Sequence, residues 1–348
     1  LGYDPIIFIV DKGGSFKRFI KLLGGEHFEI NTGYSINPFD VPITDEEEKK
    51  LYWTSILKIM VKDEKGKVTK YAEYVIEEIV RNVMNKGIKK PIITDFVKET
   101  KNITFDIDSQ KLREAKKEVE VFLTMWSRGS KGNFVNNRNS DFDIRNDKVS
   151  IDLNNLKDHP ELLELFMYYI SAIIWIKAEK NRNRVKSFIF DEVWEVFATK
   201  QGQELMNESY RTMRKYHGML TSISQDVQDF ADNEYAQGIL TNVQFQYLLM
   251  QGDGAKYDKV QKILNLQKRD IEQVKSLKTI PGEFSEVFCK MPDQKFVGRV
   301  VTSPFEYWLG TTHGPDVEMY KQYKKIFQGD ELKTINYLSE NYPAGVYS

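Results

Sequence analysis

"SFIFDEVWEVF", residues 187–197, is the stretch whose reading decides the fold. A short apolar run, Phe188 to Phe190, ends abruptly in Asp191 and Glu192 and resumes with Val193 and Trp194. Apolar and bounded by charge, it reads as a buried strand. An ionised carboxylate buried without a partner is costly. Two of them at the end of such a strand point to a cation, a proton or a phosphate-bound metal at that spot.

Other strands of the same kind surround it. "PIIFIVDKGGSF" places a continuous apolar run, Ile6 to Val10, before Asp11 and a glycine pair, which fits a strand buried on both faces and its exit loop. "VSIDL" (149–153), "MLTSIS" (219–224) and "FQYLLMQ" (245–251) follow. Between most of them lie helical spacings, at Glu161 to Lys180, Gln203 to Tyr216 and Glu234 to Asn242. This alternation predicts an α/β fold, a mainly parallel sheet flanked by helices. Ligands of such sheets bind beyond the carboxyl ends of the strands.

Two regions depart from the alternation. From Thr44 to Met125 the apolar residues keep helical periods with no convincing strand. "TDEEEKK" opens this region, with Thr44 as the expected cap and acids in the first turn. It predicts an inserted all-α subdomain over 44–125, with residues 1–43 and 126–348 forming the core. "EFSEVFCKMPDQKFVGRVVTSP" predicts a C-terminal β-hairpin with Pro292 in its turn, followed by helix from Asp316 to Glu340.

Composition narrows the function classes without naming one. Lysine plus arginine (50) balances aspartate plus glutamate (51), so bulk charge does not call for a polyanionic partner. Cys289 is the single cysteine, which excludes an intrachain disulfide framework and a thiolate zinc site; the four histidines are scattered. A reducing, intracellular setting is expected. "LFMYYISAIIWI", residues 165–176, is shorter than the roughly 20 residues that cross a bilayer and is read as a buried helix. The opening residues do not resemble a secretory signal.

A hydrophobic strand ending in Asp-Glu is the Walker B arrangement. In it the aspartate holds magnesium and the glutamate polarises the water that attacks the terminal phosphate. Neighbouring side chains on a strand end point to opposite sides, which suits the two jobs. Two solvated acids at a helix start would give the same letters. One strand later, Gln225 ends "MLTSISQ", where a polar side chain would stand beside the acids and orient the water or sense the γ-phosphate; alone it reads equally as a loop residue. Between these strands "NESYRTMRKYHG" places Arg211, Arg214 and Lys215 at spacings of three and four, on one helical face. That face is either a solvated basic surface or the source of an arginine finger for a neighbouring subunit.

No G-x-x-x-x-G-K-[ST] string occurs in the 348 residues. "DKGGSFKR" has the glycines but not the Gly-Lys-Ser/Thr ending. A triphosphate would lack its backbone cradle and lysine, so either catalysis is lost or the loop lies upstream.

The ordered set "FIFDEVWEVF", "YRTMRKYHGMLTSISQDVQDF" and "ILTNVQFQYLLMQ" resembles the ATPase domain of the conjugative-transfer ATPases of type IV secretion systems, the VirB/TraC-type family. That family shares a RecA-like fold with the FtsK and HerA translocases. "IVDKGGSFKRFIKLLGGEHFEINTGYSINPFDV" fits it too, with Asn37, Pro38 and Phe39 matching its "NPF" segment, and "SRGSKGNFVNN", with Gly129 and Gly132, resembles its loop before the next core strand. The resemblance covers nearly the whole chain. It implies ATP and Mg2+ as ligands, Asp191 as the magnesium-side acid, Glu192 as catalytic base, and Arg211, Arg214 and Lys215 as the basic helix. Gln225 and Gln251 match the glutamines that follow two core strands, and Asp11 is implied to stand near the phosphates. The family's P-loop lies one strand and one helix before Asp11, a unit of about 25 to 30 residues, so the chain is expected to be a carboxyl-terminal piece of a longer protein.

The implied function is an ATP-hydrolysing motor, hexameric when active, that serves the assembly or substrate translocation of a type IV secretion machine. Its implied place is the cytoplasm, at the inner face of the membrane and held there through the complex, with DNA or protein as possible cargo. Two readings remain beside it: a HerA- or FtsK-like DNA pump outside secretion, which duplex DNA would stimulate in a salt-sensitive way, and a nucleotide-free scaffold with the same fold.

Overall fold

A computed structural model describes residues 4–106, 109–142, 146–192, 200–227, 234–252, 257–280 and 283–346. Val193 and Trp194 lie outside the described residues. Five strands form one sheet: β1 (Ile6–Asp11), β2 (Glu26–Glu29), β3 (Lys148–Asp152), β4 (Lys186–Phe190) and β5 (Gly218–Ser222), in the order β2-β3-β1-β4-β5. All four pairings are parallel. The carboxyl ends therefore lie along one rim.

β1 shows why an unbroken apolar run is needed in the middle of the sheet. Side chains alternate between faces. Ile7 and Ile9 pack with Ile20 of the helix α1 (Lys17–Leu22), whereas Phe8 and Val10 join the main core on the other face. Buried on both faces, β1 has no polar position before Asp11. β2 carries little of this signal because it is the sheet's edge strand, and its sequence, Glu-His-Phe-Glu, keeps charge on an edge that would otherwise invite pairing. Its approach to β3 requires Gly25, where a Cβ would lie 2.4 Å from the Lys148 carbonyl oxygen.

Between β2 and β3 run the helices α2 (Glu46–Val61), α3 (Lys70–Asn85), α4 (Ile93–Asn102), α5 (Gln110–Trp126) and α6 (Gly129–Val135). The cap of α2 is Asp45, whose carboxylate accepts the Glu48 N–H at 2.9 Å, rather than Thr44; the helix begins one residue later than the acidic run suggests. Residues 129–135 form a short helix, not a loop: the Gly132 N–H bonds the Arg128 carbonyl, and Gly132 lies so close to Ser127 that a Cβ would sit 2.5 Å from its carbonyl carbon. The "NPF" segment anchors these helices. Buried Asn37 accepts the Phe39 N–H at 3.0 Å, and Phe39 packs on Phe96 at 4.5 Å and edge-on to Trp53 at 6.0 Å. Apolar side chains of these helices, of the sheet and of α7 (Pro160–Lys180) form one continuous core. The run expected to be a buried helix, 165–176, lies within α7, and among the described residues no helix is long and apolar enough to cross a membrane.

After α7, β4, α8 (Lys200–Thr212) and β5, the chain continues through α9 (Glu234–Asn242) into β6 (Gln246–Leu249). β6 departs from expectation. It does not join the parallel sheet but pairs antiparallel with β8 (Phe284–Lys290), which also pairs with β7 (Thr279–Ile280) and β9 (Lys295–Val300). An apolar run marks a strand but not its partner. Here Leu248 pairs with Phe288 in register and both join a small separate core with Ile271 and Val274. β8 and β9 are the expected hairpin, with Pro292 in the connection. Three helices follow, α12 (Pro304–Gly310), α13 (Gly314–Ile326) and α14 (Glu331–Asn341), numbered after α10 (Tyr257–Ile263) and α11 (Lys268–Ser276). Arg18 of α1 ties them to the sheet by donating to the carbonyls of Trp308 (2.6 Å) and Thr311 (2.9 Å) and stacking over Tyr320.

Candidate active site

Asp191 directly follows β4, and its N–H donates to the Val10 carbonyl at 2.8 Å, so the ladder with β1 carries the carboxylate to the rim of the sheet. There the chain turns sharply. Glu192 has φ 50°, a left-handed conformation that is strained for a residue with a side chain, and its N–H donates back to Asp191 Oδ1 at 3.0 Å. The two acids thus diverge through a turn, not through strand alternation. Burial raises the Asp191 carboxyl above its ordinary range; the Glu192 N–H opposes this and the Glu192 charge adds to it.

β5 runs beside β4 in parallel, with Phe190 in register with Ser222, and Gln225 lies three residues beyond that end. Its Nε2 donates to Glu192 Oε1 at 2.5 Å. The structure therefore brings Glu192 and Gln225 into contact across neighbouring strand ends. The Tyr210 hydroxyl on α8 meets Ser222 Oγ at 2.8 Å and fixes that helix over the end of β5.

Asp11 ends β1 between two other acids: it pairs in register with Asp152 of β3 on one side and has Asp191 on the other. The strand endings "IIFIVD", "KVSID" and "SFIFD" share one letter for this reason. Sequence reading missed Asp152, although that repeated ending was the signal that would have found it. Asp152 Oδ1 accepts the N–H groups of Gly13 (3.0 Å) and Asn154 (2.9 Å), and Asp11 Oδ2 accepts that of Phe16 (3.1 Å). Both acids brace the glycine turn, in which Gly13 and Gly14 have φ of 87° and 71°. Asp11 is 2% exposed, and its Oδ1 is buried with no hydrogen-bond partner.

Burial first, and then the charges of Asp152 and Asp191, push the Asp11 carboxyl from its ordinary 3.8 to about 6, against the lowering pull of the Phe16 N–H. The folded chain thus holds a proton that the unfolded chain has released between those two pH values. Stability from this group is present at low pH and is lost as pH rises through about 6. Asp11→Asn keeps an acceptor for Phe16 and removes the charge. Without divalent cation or nucleotide it is expected to stabilise the fold by about 1 kcal/mol at pH 7.5, after discounting for screening, and to change little at pH 4. Urea unfolding at the two pH values measures this, and an equal difference at both would show that Asp11 is not the titrating group.

Two of the basic residues, Arg214 and Lys215, lie toward the other end of β5. α8 ends at Thr212, and Met213–Tyr216 is a 3-10 turn leading to His217 at φ 53°, so the three cations do not share one α-helical face. Arg214 and Lys215 stand in that turn, before the amino end of β5, whereas Gln225 lies past its carboxyl end. Five residues of strand, about 17 Å at ~3.3 Å per residue, separate the two ends. Arg211, Arg214 and Lys215 are exposed. Gln251, beyond β6, donates to the Leu249 carbonyl at 2.9 Å and lines the same cavity as Gln225, Arg211 and Arg214.

The oxygen-only donors at the rim suit a hard cation. Among the described residues no cluster of three or more His, Cys, Asp or Glu could hold a metal alone. Magnesium is usually bound through one or two carboxylates together with substrate phosphates and water. The residues present fit a metal–nucleotide pair better than a metal by itself.

The family model described as TraG P-loop domain matches residues 3–342. Protein TraC of Escherichia coli (strain K12) is 25% identical over 335 residues, which is 91% of this chain and 37% of TraC. The chain thus spans little more than a third of the length of that curated relative. Among solved structures, VirB4 of Thermoanaerobacter pseudethanolicus has the same fold at a TM-score of 0.68 and 18% identity, covering 87% of this chain and 83% of that one. The plasmid coupling protein TrwB, solved in complex with ADP and Mg2+, follows at a TM-score of 0.53 and 12% identity, over 85% of this chain and 84% of TrwB.

Proposed function

The chain belongs to the TraG P-loop domain family and is RecA-like in fold, and from that premise we propose that it is the ATPase module of a motor serving type IV secretion or conjugation. The observation that carries the proposal is the Gln225–Glu192 hydrogen bond at 2.5 Å across the rim of the parallel sheet. A base and an amide that are 33 residues apart in sequence are held together at the place where such sheets receive ligands. TrwB, which shares the fold, was solved with ADP and Mg2+.

In this reading Mg2+ and ATP bind at the rim, and the metal supplies neutralising charge to the phosphates. Asp191 holds the metal side. Glu192 takes the proton of the attacking water, and Gln225 fixes the direction of the Glu192 carboxylate through its N–H. Gln251 and Asp11 border the nucleotide, Asp11 by shaping the glycine turn. Arg211, Arg214 and Lys215 act on the site of a neighbouring subunit in a ring, a hexamer when active. The helices over 44–125 form an insertion in a core made of 1–43 and 126–348. The motor works on the cytoplasmic face of the membrane, attached through other secretion components, and moves a DNA or protein substrate or drives assembly.

The test is magnesium dependence in the full-length protein. The parent is expected to hydrolyse ATP only with Mg2+, and Asp191→Asn to raise the Mg2+ concentration needed for half-maximal rate by roughly 10-fold or more. An unchanged magnesium requirement would remove Asp191 from the metal, and no hydrolysis by the full-length parent under any condition would end the motor reading.

A further inference from the structure

The first residue of β4 is a lysine in a place that suits an apolar side chain. Lys186 pairs in register with Ile6 of β1 on one side and Gly218 of β5 on the other, and it is 0% exposed. Lysine is almost never fully buried unless it is paired. Among the described residues it has no carboxylate partner. Its Nζ donates instead to the carbonyls of Asn181 (2.6 Å), Arg184 (2.8 Å) and Tyr216 (2.6 Å), one for each ammonium proton. Burial first, and then the Arg184 charge, lower its pKa. The charge is therefore kept at a cost that a methionine or leucine would avoid.

The contacts show what this lysine holds. It grips two successive carbonyls of one chain segment: its Nζ takes that of Tyr216, and its backbone N–H takes that of His217 at 3.0 Å. That segment is the 3-10 turn Met213–Tyr216 and its exit, and the turn carries Arg214 and Lys215. The Tyr216 ring lies edge-on to Trp175 of α7 at 6.0 Å, with the Arg182 guanidinium over its face at 5.1 Å. Met213 is buried against Gly218, where a Cβ would lie 2.2 Å from the Met213 Cγ. His217 leaves the turn at φ 53°, a left-handed conformation uncommon for a residue with a side chain. Met213 and Tyr216 are thus clamped, and the two cations between them are exposed.

The other two carbonyls refer the turn to the frame of the sheet. Asn181 and Arg184 belong to the connection between α7 and β4. Arg184 is ion-paired with Asp4, just before β1, at 3.0 Å and with Asp147, just before β3, at 2.5 Å. Asn181 donates back to the Lys177 carbonyl of α7 at 2.9 Å. Through Lys186 the turn is therefore tied to the amino ends of three parallel strands and to the end of α7.

We propose that Lys186 is a positioning residue: together with Arg182 on the Tyr216 ring, it sets the direction in which Arg214 and Lys215 leave the turn toward a phosphate bound by a neighbouring subunit. The inference rests on the reading that these cations act on a neighbouring site. A solvated basic surface needs no such support, because an exposed cation on a loose turn is solvated equally well in many directions. A cation that must meet a phosphate held by another chain does need it. A misplacement of about 1 Å costs on the order of 10²-fold in rate, and a fixed backbone leaves less freedom to lose on contact. Lys186 acts only through the turn, since it is buried and its three protons are taken by carbonyls of its own chain.

The experiment is a double-mutant cycle on ATP turnover in the full-length protein, with Lys186→Met on one side and Arg214→Ala plus Lys215→Ala on the other. Lys186→Met is expected to lower turnover by roughly 10²-fold in the parent, with nucleotide affinity unchanged, and to change it less than ~2-fold where both cations are already absent. Parental turnover of Lys186→Met, or a similar loss in both backgrounds, would overturn the proposal. Hydrogen exchange gives a second readout. The His217 amide, which donates to the Arg214 carbonyl, is expected to exchange at least ~10-fold faster in Lys186→Met, while the Phe8 amide of β1 is unchanged. Equal loosening of both, or of neither, would count as failure. If Lys186→Met does not fold, Arg182→Ala, at an exposed position, runs the same cycle through the Tyr216 ring. Its loss of about 3-fold or more is expected only with the cations present; equal losses, or none in either background, would overturn the proposal. Parental turnover of the protein lacking Arg214 and Lys215 would sink the reading of these cations, and a fast His217 amide in Lys186→Met would still leave Lys186 as the residue that holds the turn.

Discussion

Glu192→Gln in the full-length protein is expected to lower ATP turnover by roughly 10² to 10⁴ while leaving nucleotide affinity nearly unchanged. The amide keeps the size of the side chain and its acceptor oxygen, so the Gln225 N–H still has a partner, and the left-handed turn at residue 192 gains no new strain. What is lost is the ability to take a proton from the attacking water. A structural role would behave differently: the variant would then unfold at lower temperature and bind nucleotide less well in parallel. Turnover at the parental rate, with binding intact, would show that another group is the base. Gln225→Ala is a useful companion, because it leaves the carboxylate in place but removes the N–H that aims it.

The second large effect belongs to the cations. Arg211→Ala or Arg214→Ala is expected to reduce turnover by about 10³ or more if the removed side chain is the finger. A strand's length separates Arg214 and Lys215 from the rim that carries Asp191 and Gln225, so a contribution to the same chain's site is geometrically unfavourable. In a ring the contact between subunits joins two different surfaces, and each site takes its base from one chain and its finger from the next. An equal mixture of the Arg214→Ala and Glu192→Gln proteins then restores about a quarter of the sites, since half the chains keep the base and half of their neighbours keep the arginine. A mixture as inactive as its components at every ratio would count against a shared site. If Arg211→Ala and Arg214→Ala both prove neutral, the cations are a solvated surface.

Much of this was legible in the letters. An apolar run of four or five residues that ends in a charge can be satisfied in few ways. Buried on both faces and interleaved with helices, such runs specify a parallel sheet whose polar endings gather on one rim. Asp11, Asp191 and, through the repeated ending, Asp152 are all placed on that rim by the letters alone. The helical region after Thr44 and the C-terminal hairpin were equally plain, because a period of 3.6 or an alternation around a proline turn is a local property.

Partners across the chain were not legible. The meeting of Gln225 with Glu192 depends on β5 lying next to β4, the distance of Arg214 and Lys215 from that rim depends on the strand that runs between them, and the loss of a shared basic face depends on a switch from α to 3-10 geometry at Met213. Periodicity says which face of an element is apolar, but hydrogen-bond pairing between strands is decided by the whole set of segments competing for each edge. The apolar pattern of "QYLL" accordingly made a strand in either setting, and only the tertiary structure gave it to β8 rather than to the parallel sheet, leaving the edge of β5 open. The residues determined the sheet and the chemistry of its rim, and the fold determined which of those residues touch, because a local pattern fixes the direction a side chain points but not what stands opposite it.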